Sequence, residues 1–247
     1  MNLATPQAYD ATTPVITNAT LETKSVLSLI RNTNRKVLIG SQGDWEVIKQ
    51  LSGKKPVIYG FEYQNGQTYL TPAIKAAYDE GAIITLCDHM PNFYTWAGMG
   101  TYSHLVGSNP QTNNCYDKSQ NTMTQCLPGG SVNATFLSYL DTVCSWINSL
   151  VGSDGKKIPI LYRPAHECNG DWFWWHNRTG AAQYVQFFQY IIDRFRTNGV
   201  TNVNVVWCPT VNTIGGTPLY YADINPYFPG GTYCDIVGLD IYSNAVA

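Results

Sequence analysis

The sequence is poor in charge. Charged residues make up 13% of its 247 positions, with a formal net charge of −2, against about 25% in ordinary globular domains. No basic stripe or acidic block is present, which argues against nucleic acid or an anionic membrane as a partner. No apolar run reaches the roughly 18 residues of a membrane span. The opening stretch MNLATPQAYDATTP lacks the basic segment and apolar core of a signal peptide. No CxxC pair or Cys/His cluster has zinc spacing, so no metal or other cofactor is expected. GSQGDW, after the first apolar run, matches neither GxGxxG nor GxxxxGK[ST], which counts against nucleotide binding.

Aromatic residues, by contrast, make up 13% of the chain, including 17 Tyr and 7 Trp. Hydrophilicity therefore rests on Asn, Thr, Ser, Gln and Tyr, a composition common among secreted sugar-handling proteins. The cysteine count of seven is odd. Cys115 and Cys126 flank a polar loop and could pair in an oxidising compartment. Cys87, Cys144 and Cys208 read as small buried hydrophobes. Glycosylation triplets begin at Asn18, Asn133 and Asn177 and are compatible with secretion.

Short apolar runs alternate with helical patterns: 36–44, 56–63, 82–93, 158–167, 203–210 and 234–243. Such continuous apolar runs suit parallel strands buried on both faces. Between them, TPAIKAAYDEG predicts a helix capped by Thr71 and ended by Gly81. Residues 133–150 place Phe136, Leu140, Val143, Ile147 and Leu150 on one helical face, and Tyr184, Phe188, Ile191 and Phe195 repeat the pattern. An earlier helix is expected around residues 20–32. The alternation implies βα units, in either a closed (β/α)₈ barrel or a doubly wound sheet. Functional-looking residues at nearly every run's C-terminal end favour the barrel. One domain is expected, with barrel units from about residue 35 and a long excursion over 94–132.

The most pointed stretch is LYRPAHECNGDWFWWHNRTG, residues 161–180. It sets a lone carboxylate, Glu167, among tryptophans. Packing against apolar rings raises a carboxyl pKa, which keeps a proton available for a leaving oxygen. Tryptophan rings match the flat C–H faces of a sugar, and Arg163, His166 and Asn169 could bond its hydroxyls. The residues alone leave a second reading open: Glu167 ion-paired with Arg163, with the tryptophans as core.

RPAHECNGDWFWW closely resembles the acid/base segment of glycoside hydrolase family 26, the β-mannanase family of the retaining (β/α)₈ clan. ITLCDHMPNF, LPGGSVN, GKKIPILYRPAHE, VNVVWCPT and YCDIVGLDIYS agree with it in order, so the resemblance covers about residues 35–247. It implies a TIM barrel and a β-1,4-mannanase-type hydrolase with Glu167 as general acid/base. Arg163 and His166 would orient that acid and contact the sugar, Trp172 would be the aromatic platform, and His89 would contact substrate. Asp240 and Tyr242 match a strand-six pair whose tyrosine bonds the nucleophile. Trp174, Trp175 and Trp207 have no such match and read as packing or cleft lining, and Cys168 as a packed small side chain. Asp44, Glu62 and Asp88 also end runs, and no catalytic role is assigned to them.

A retaining glycosidase needs a second carboxylate about 5 Å from the first. The resemblance implies a glutamate at the end of a seventh strand, yet no glutamate follows Glu167. About six of the eight units are visible, so the chain is expected to be an incomplete, inactive catalytic domain, with its nucleophile beyond residue 247. Asp240 or Asp235 as substitute nucleophile is the lesser alternative. A non-catalytic β-glycan-binding barrel, a β-1,3-xylanase and a mixed-linkage glucanase also stay open, while a doubly wound small-molecule binder is disfavoured. A secreted monomer acting on β-mannan is expected, with sugar choice set by loops at 62–70, 94–132 and 212–230.

Overall fold

The computed structural model describes residues 13–33, 36–43, 45–63, 69–95, 114–176, 180–211 and 224–241. Tyr242, Asp44, Asn177 and much of the three loops lie outside them. Six strands form one sheet: β1 (Gly40–Gln42), β2 (Ile58–Tyr63), β3 (Ile83–Asp88), β4 (Ile160–Pro164), β5 (Val203–Trp207) and β6 (Ile236–Val237). Every pair is parallel and the spatial order is the chain order, β1-β2-β3-β4-β5-β6. A doubly wound sheet would reverse direction at a switch point. The monotonic order is that of a (β/α)₈ barrel, of which these strands form part.

The helices are α1 (Leu21–Arg31), α2 (Trp45–Ser52), α3 (Leu70–Asp79), α4 (Thr122–Cys126), α5 (Asn133–Ser149) and α6 (Ala181–Thr197). The anticipated faces of α5 and α6 are buried, from Phe136 to Ile147 and from Tyr184 to Phe195. Phe136 stacks on Phe187 at 5.2 Å and Tyr162 on Phe195 at 4.9 Å. Thr20 caps α1, its Oγ1 accepting from the Thr23 N–H at 3.2 Å. Thr71 does not cap α3, which begins one residue earlier at Leu70. Its hydroxyl instead accepts from Trp146 Nε1 at 2.9 Å, a tertiary bond that outweighs the local capping preference. Gly81, at φ 90°, does end α3, because the left-handed turn there excludes a Cβ cheaply only for glycine.

Strand alternation decides which residues reach the site. Ile84, Leu86, Ile160, Tyr162, Val203 and Val205 point into the core beneath the helices. Ile83, Leu161, Val206 and Cys208 form a smaller cluster on the other face, with Val26 and Ile30 of α1 packed against it. Asp88 lies on the helix side, fully buried, and accepts hydroxyl bonds from Tyr139 (2.6 Å) and Tyr162 (2.8 Å). It anchors α5 to the sheet and does not face the cleft.

Cys115 and Cys126 are buried as separate thiols and are not bonded to each other. Asn133 spends its amide on Cys126 O (2.7 Å) and the Tyr190 hydroxyl (2.9 Å), whereas Asn18 is exposed.

Candidate active site

On the concave face, the C-terminal ends of β1, β3 and β4 open onto a cleft of about 420 Å³. Gln42, Cys87, His89, Tyr116, Arg163, His166, Glu167, Trp172 and Phe173 line it. Five of these come from the Arg163–Phe173 region because the chain turns sharply after β4. Ala165 (φ 46°) and Glu167 (φ 54°) both take left-handed conformations there, which cost a residue with a Cβ about 1–2 kcal/mol each. Main-chain bonds hold the turn. Ala165 O accepts from the Tyr184 hydroxyl (3.0 Å), His166 O from Trp175 Nε1 (2.8 Å), and the Glu167 N–H donates to Cys208 O (2.7 Å).

Glu167 is only 4% exposed. Its Oε2 accepts a 2.6 Å hydrogen bond from Trp172 Nε1, so the ring is at once cleft wall and carboxylate clamp. Gly170 makes this approach feasible, since a Cβ there would lie 2.5 Å from the indole. Arg163 is not Glu167's ion-pair partner. Its Nη1 pairs with Asp240 Oδ2, and Cys208 Sγ donates to Asp240 Oδ1 at 3.3 Å. The buried-pair reading of Glu167 therefore fails.

The two histidines meet edge to face, with centroids 4.7 Å apart. His166 is buried, and burial first, then the neighbouring His89 and Arg163, hold its imidazole well below the ordinary value. Burial also opposes charge on His89, but Cys87 and Glu62 outweigh it and push that imidazole up to about 10. His89 Nδ1 stands 2.9 Å from Glu62 Oε1. Burial thus disfavours charge on His166, while the Glu62 and Cys87 side chains favour it on His89.

Asn169 corrects an expectation. It does not present its amide to the cleft. It is 6% exposed, its Nδ2 donates to Thr210 O (2.8 Å), and its Oδ1 accepts from the Thr210 N–H (2.9 Å). Satisfying an otherwise buried backbone pair is a bracing role, tying the turn after β4 to the end of β5. Trp174 and Trp175 are buried packing residues, as is Cys168, whose thiol burial pushes up to about 12. Asp235 braces β5 through Val205 N–H at 2.7 Å and lies away from the cleft lining. Sequence reading missed Phe173 and Tyr116 as cleft residues. Phe173 stacks on Trp175 (4.4 Å) and on Tyr116 (5.3 Å), a sandwich assembled from segments far apart in the chain. Metal-type donors also gather across strands in a way linear spacing cannot show. Among the described residues, Glu62, Cys87 and His89 form one such trio, and His166, Glu167 and Asp240 another, with donor atoms within 4.8 Å in each.

A buried carboxylate clamped by an indole, within an aromatic cleft on a βα barrel, suits acid/base chemistry on a sugar. The sequence model of glycosyl hydrolase family 26 matches residues 15–247. The chain belongs to glycosyl hydrolase family 26. It is 27% identical to a mannan endo-1,4-beta-mannosidase of Bifidobacterium adolescentis, over 92% of this chain and 24% of that protein. With a mannan endo-1,4-beta-mannosidase of Bacillus subtilis (strain 168) the identity is 28%, over 97% of this chain and 69% of the relative. The solved catalytic domain of a Bacillus sp. JAMB-750 family 26 endo-β-1,4-mannanase superposes with a TM-score of 0.78 at 26% identity. That alignment covers 92% of this chain and 62% of the solved one. The chain thus spans only part of the family 26 proteins it matches. Among its described residues no helix is long and apolar enough to cross a membrane.

Proposed function

We propose that this chain carries the acid/base half of a secreted, monomeric endo-β-1,4-mannanase acting by retaining double displacement. The Trp172–Glu167 hydrogen bond at the cleft wall carries this reading. Glu167 protonates the glycosidic oxygen as the bond to the anomeric carbon breaks, and in the second step takes a proton from the attacking water. Trp172 holds the carboxylate's orientation and offers its ring to the sugar. Arg163, held by Asp240, and the His89–His166 pair contact the hydroxyls of the reacting unit. Tyr116 and Phe173 extend the apolar floor. Residues 1–247 belong to one catalytic domain, and the nucleophilic glutamate comes from outside them. No cofactor takes part.

A second reading has a specific observation behind it. Carboxylate oxygens of Asp240 and Glu167 lie within 4.8 Å of each other, close to the separation of a retaining pair. Against Asp240 as nucleophile, both its oxygens are engaged, by Arg163 and by Cys208.

Calorimetry with mannohexaose and a reducing-sugar assay on the 247-residue chain test both readings. The first expects binding without turnover, weakened roughly tenfold or more in Trp172→Ala. Hydrolysis abolished by both Glu167→Gln and Asp240→Asn would replace it with the second. Tighter binding of β-1,3-xylan or mixed-linkage glucan oligosaccharides would overturn the mannan assignment.

A further inference from the structure

The Glu62, Cys87 and His89 trio has a role that sugar hydrolysis does not require of it. Glu62 and Cys87 are direct partners in the parallel register of β2 and β3. His89 follows Cys87 by two positions, so strand alternation returns it to the same side. One carboxylate oxygen, one sulfur and one imidazole nitrogen consequently converge within 4.8 Å of one another. His89 Nδ1 and Glu62 Oε1 are 2.9 Å apart, yet buried Nδ1 makes no in-line hydrogen bond among the described residues. A tetrahedral ion with ligands at about 2.0–2.3 Å needs donor separations of roughly 3.3–3.7 Å, so small side-chain shifts admit one. Thiolate, imidazole and carboxylate together match a borderline-soft cation and not Mg²⁺ or Ca²⁺. Two anionic donors would balance a divalent charge. The nearby Arg163 guanidinium is already paired with Asp240.

We propose that Glu62, Cys87 and His89 form a three-ligand site for a divalent cation of the zinc class. Cys87 and His89 line the cleft, so the fourth coordination position faces the space a sugar would enter. Binding releases the thiol proton and any proton on the imidazole. The cation is an inhibitor here: it occupies the cleft and excludes the sugar. This last consequence rests on the mannanase reading, whereas metal binding does not.

The test titrates the 247-residue chain with Zn²⁺ by calorimetry and with Co²⁺ by absorption. One equivalent is expected to bind, with a thiolate-to-cobalt charge-transfer band. Cys87→Ser should abolish the band and weaken Zn²⁺ roughly tenfold or more, and Glu62→Gln should weaken Zn²⁺ while keeping the thiol in place. Glu167→Gln should bind Zn²⁺ as the parent does. Absence of the band, or undiminished Zn²⁺ affinity in folded Cys87→Ser or in Glu62→Gln, overturns the site. Loss of Zn²⁺ in Glu167→Gln would also overturn it, moving the ion to the trio with His166 and Asp240. Saturating Zn²⁺ should weaken mannohexaose binding about tenfold or more. If Zn²⁺ binds as expected but the metal-free chain binds no mannohexaose, the mannanase reading fails and the metal site stands.

Discussion

Helix α5 buries seven side chains, among them Phe136, Tyr139 and Trp146, whereas α2 buries none. The contrast extends to the sheet. Inside it β2 and β3 each run six residues, while the outermost β1 has three and β6 two. At those outer strands apolar side chains stand in the open, with Val37 and Leu51 83% exposed on one side and Ile241 68% on the other. The corner that holds Glu167 is built on the braced centre, from the ends of β3, β4 and β5. The placement of Glu167 therefore depends mainly on α5, α6 and the turn after β4, with Asp240 beyond β6 holding Arg163 beside it.

Substitutions of decreasing severity would break or sharpen this contrast. Phe136→Ala, at the centre of the packed layer, should cost about 3–5 kcal/mol in denaturant unfolding. A loss under about 1 kcal/mol would show that the centre is less tightly packed than its burial implies.

Acidity probes the same layer. Burial pushes Asp88 up to about 6 from an ordinary 3.8, despite the opposing bonds from Tyr139 and Tyr162. The folded state thus holds this proton more tightly than the unfolded chain does. Its contribution to stability is greatest below about pH 4, declines as pH rises through about 4 to 6, and is flat above, a change on the order of 3 kcal/mol. Urea unfolding across that range should show the decline in the parent and not in Asp88→Asn; parallel profiles would rule out Asp88 as its source.

Gly170→Ala should cost about 1–3 kcal/mol, because the new Cβ drives Trp172 off Glu167. It should also weaken mannohexaose binding about tenfold, and unchanged affinity would mean that the clamp is dispensable for the sugar. Leu51→Ser on α2 should shift stability by no more than about 0.5 kcal/mol, and a larger loss would erase the difference between α2 and α5.

Much of the architecture was legible because its signals are local and repeated. Apolar runs forecast the six strands, and period-3.6 faces forecast α5 and α6. Thr71 misled because Trp146, 75 residues away, claims its hydroxyl. The same limit governed the site. Glu167 and Trp172 sit five residues apart, so their closeness was legible though the bond between them was not, and Arg163 chose Asp240 over Glu167 only through the packing of β4 against β5 and β6. Asn169 was misread because an amide's partner, here the Thr210 backbone, is a matter of fold and not of residue type. Glu62 became meaningful only once strand register set it beside Cys87.

The left-handed backbone at Ala165 and Glu167 carries a cost that recurs every time the protein folds. Ala165→Gly would relieve part of that strain and raise the melting temperature, yet it would slacken the turn that aims the carboxylate. Thermal robustness and the alignment of the Glu167 carboxylate are set against each other at this one corner. An engineer seeking a tougher protein should look for gains on α2, which buries no side chain and contributes none to the cleft lining.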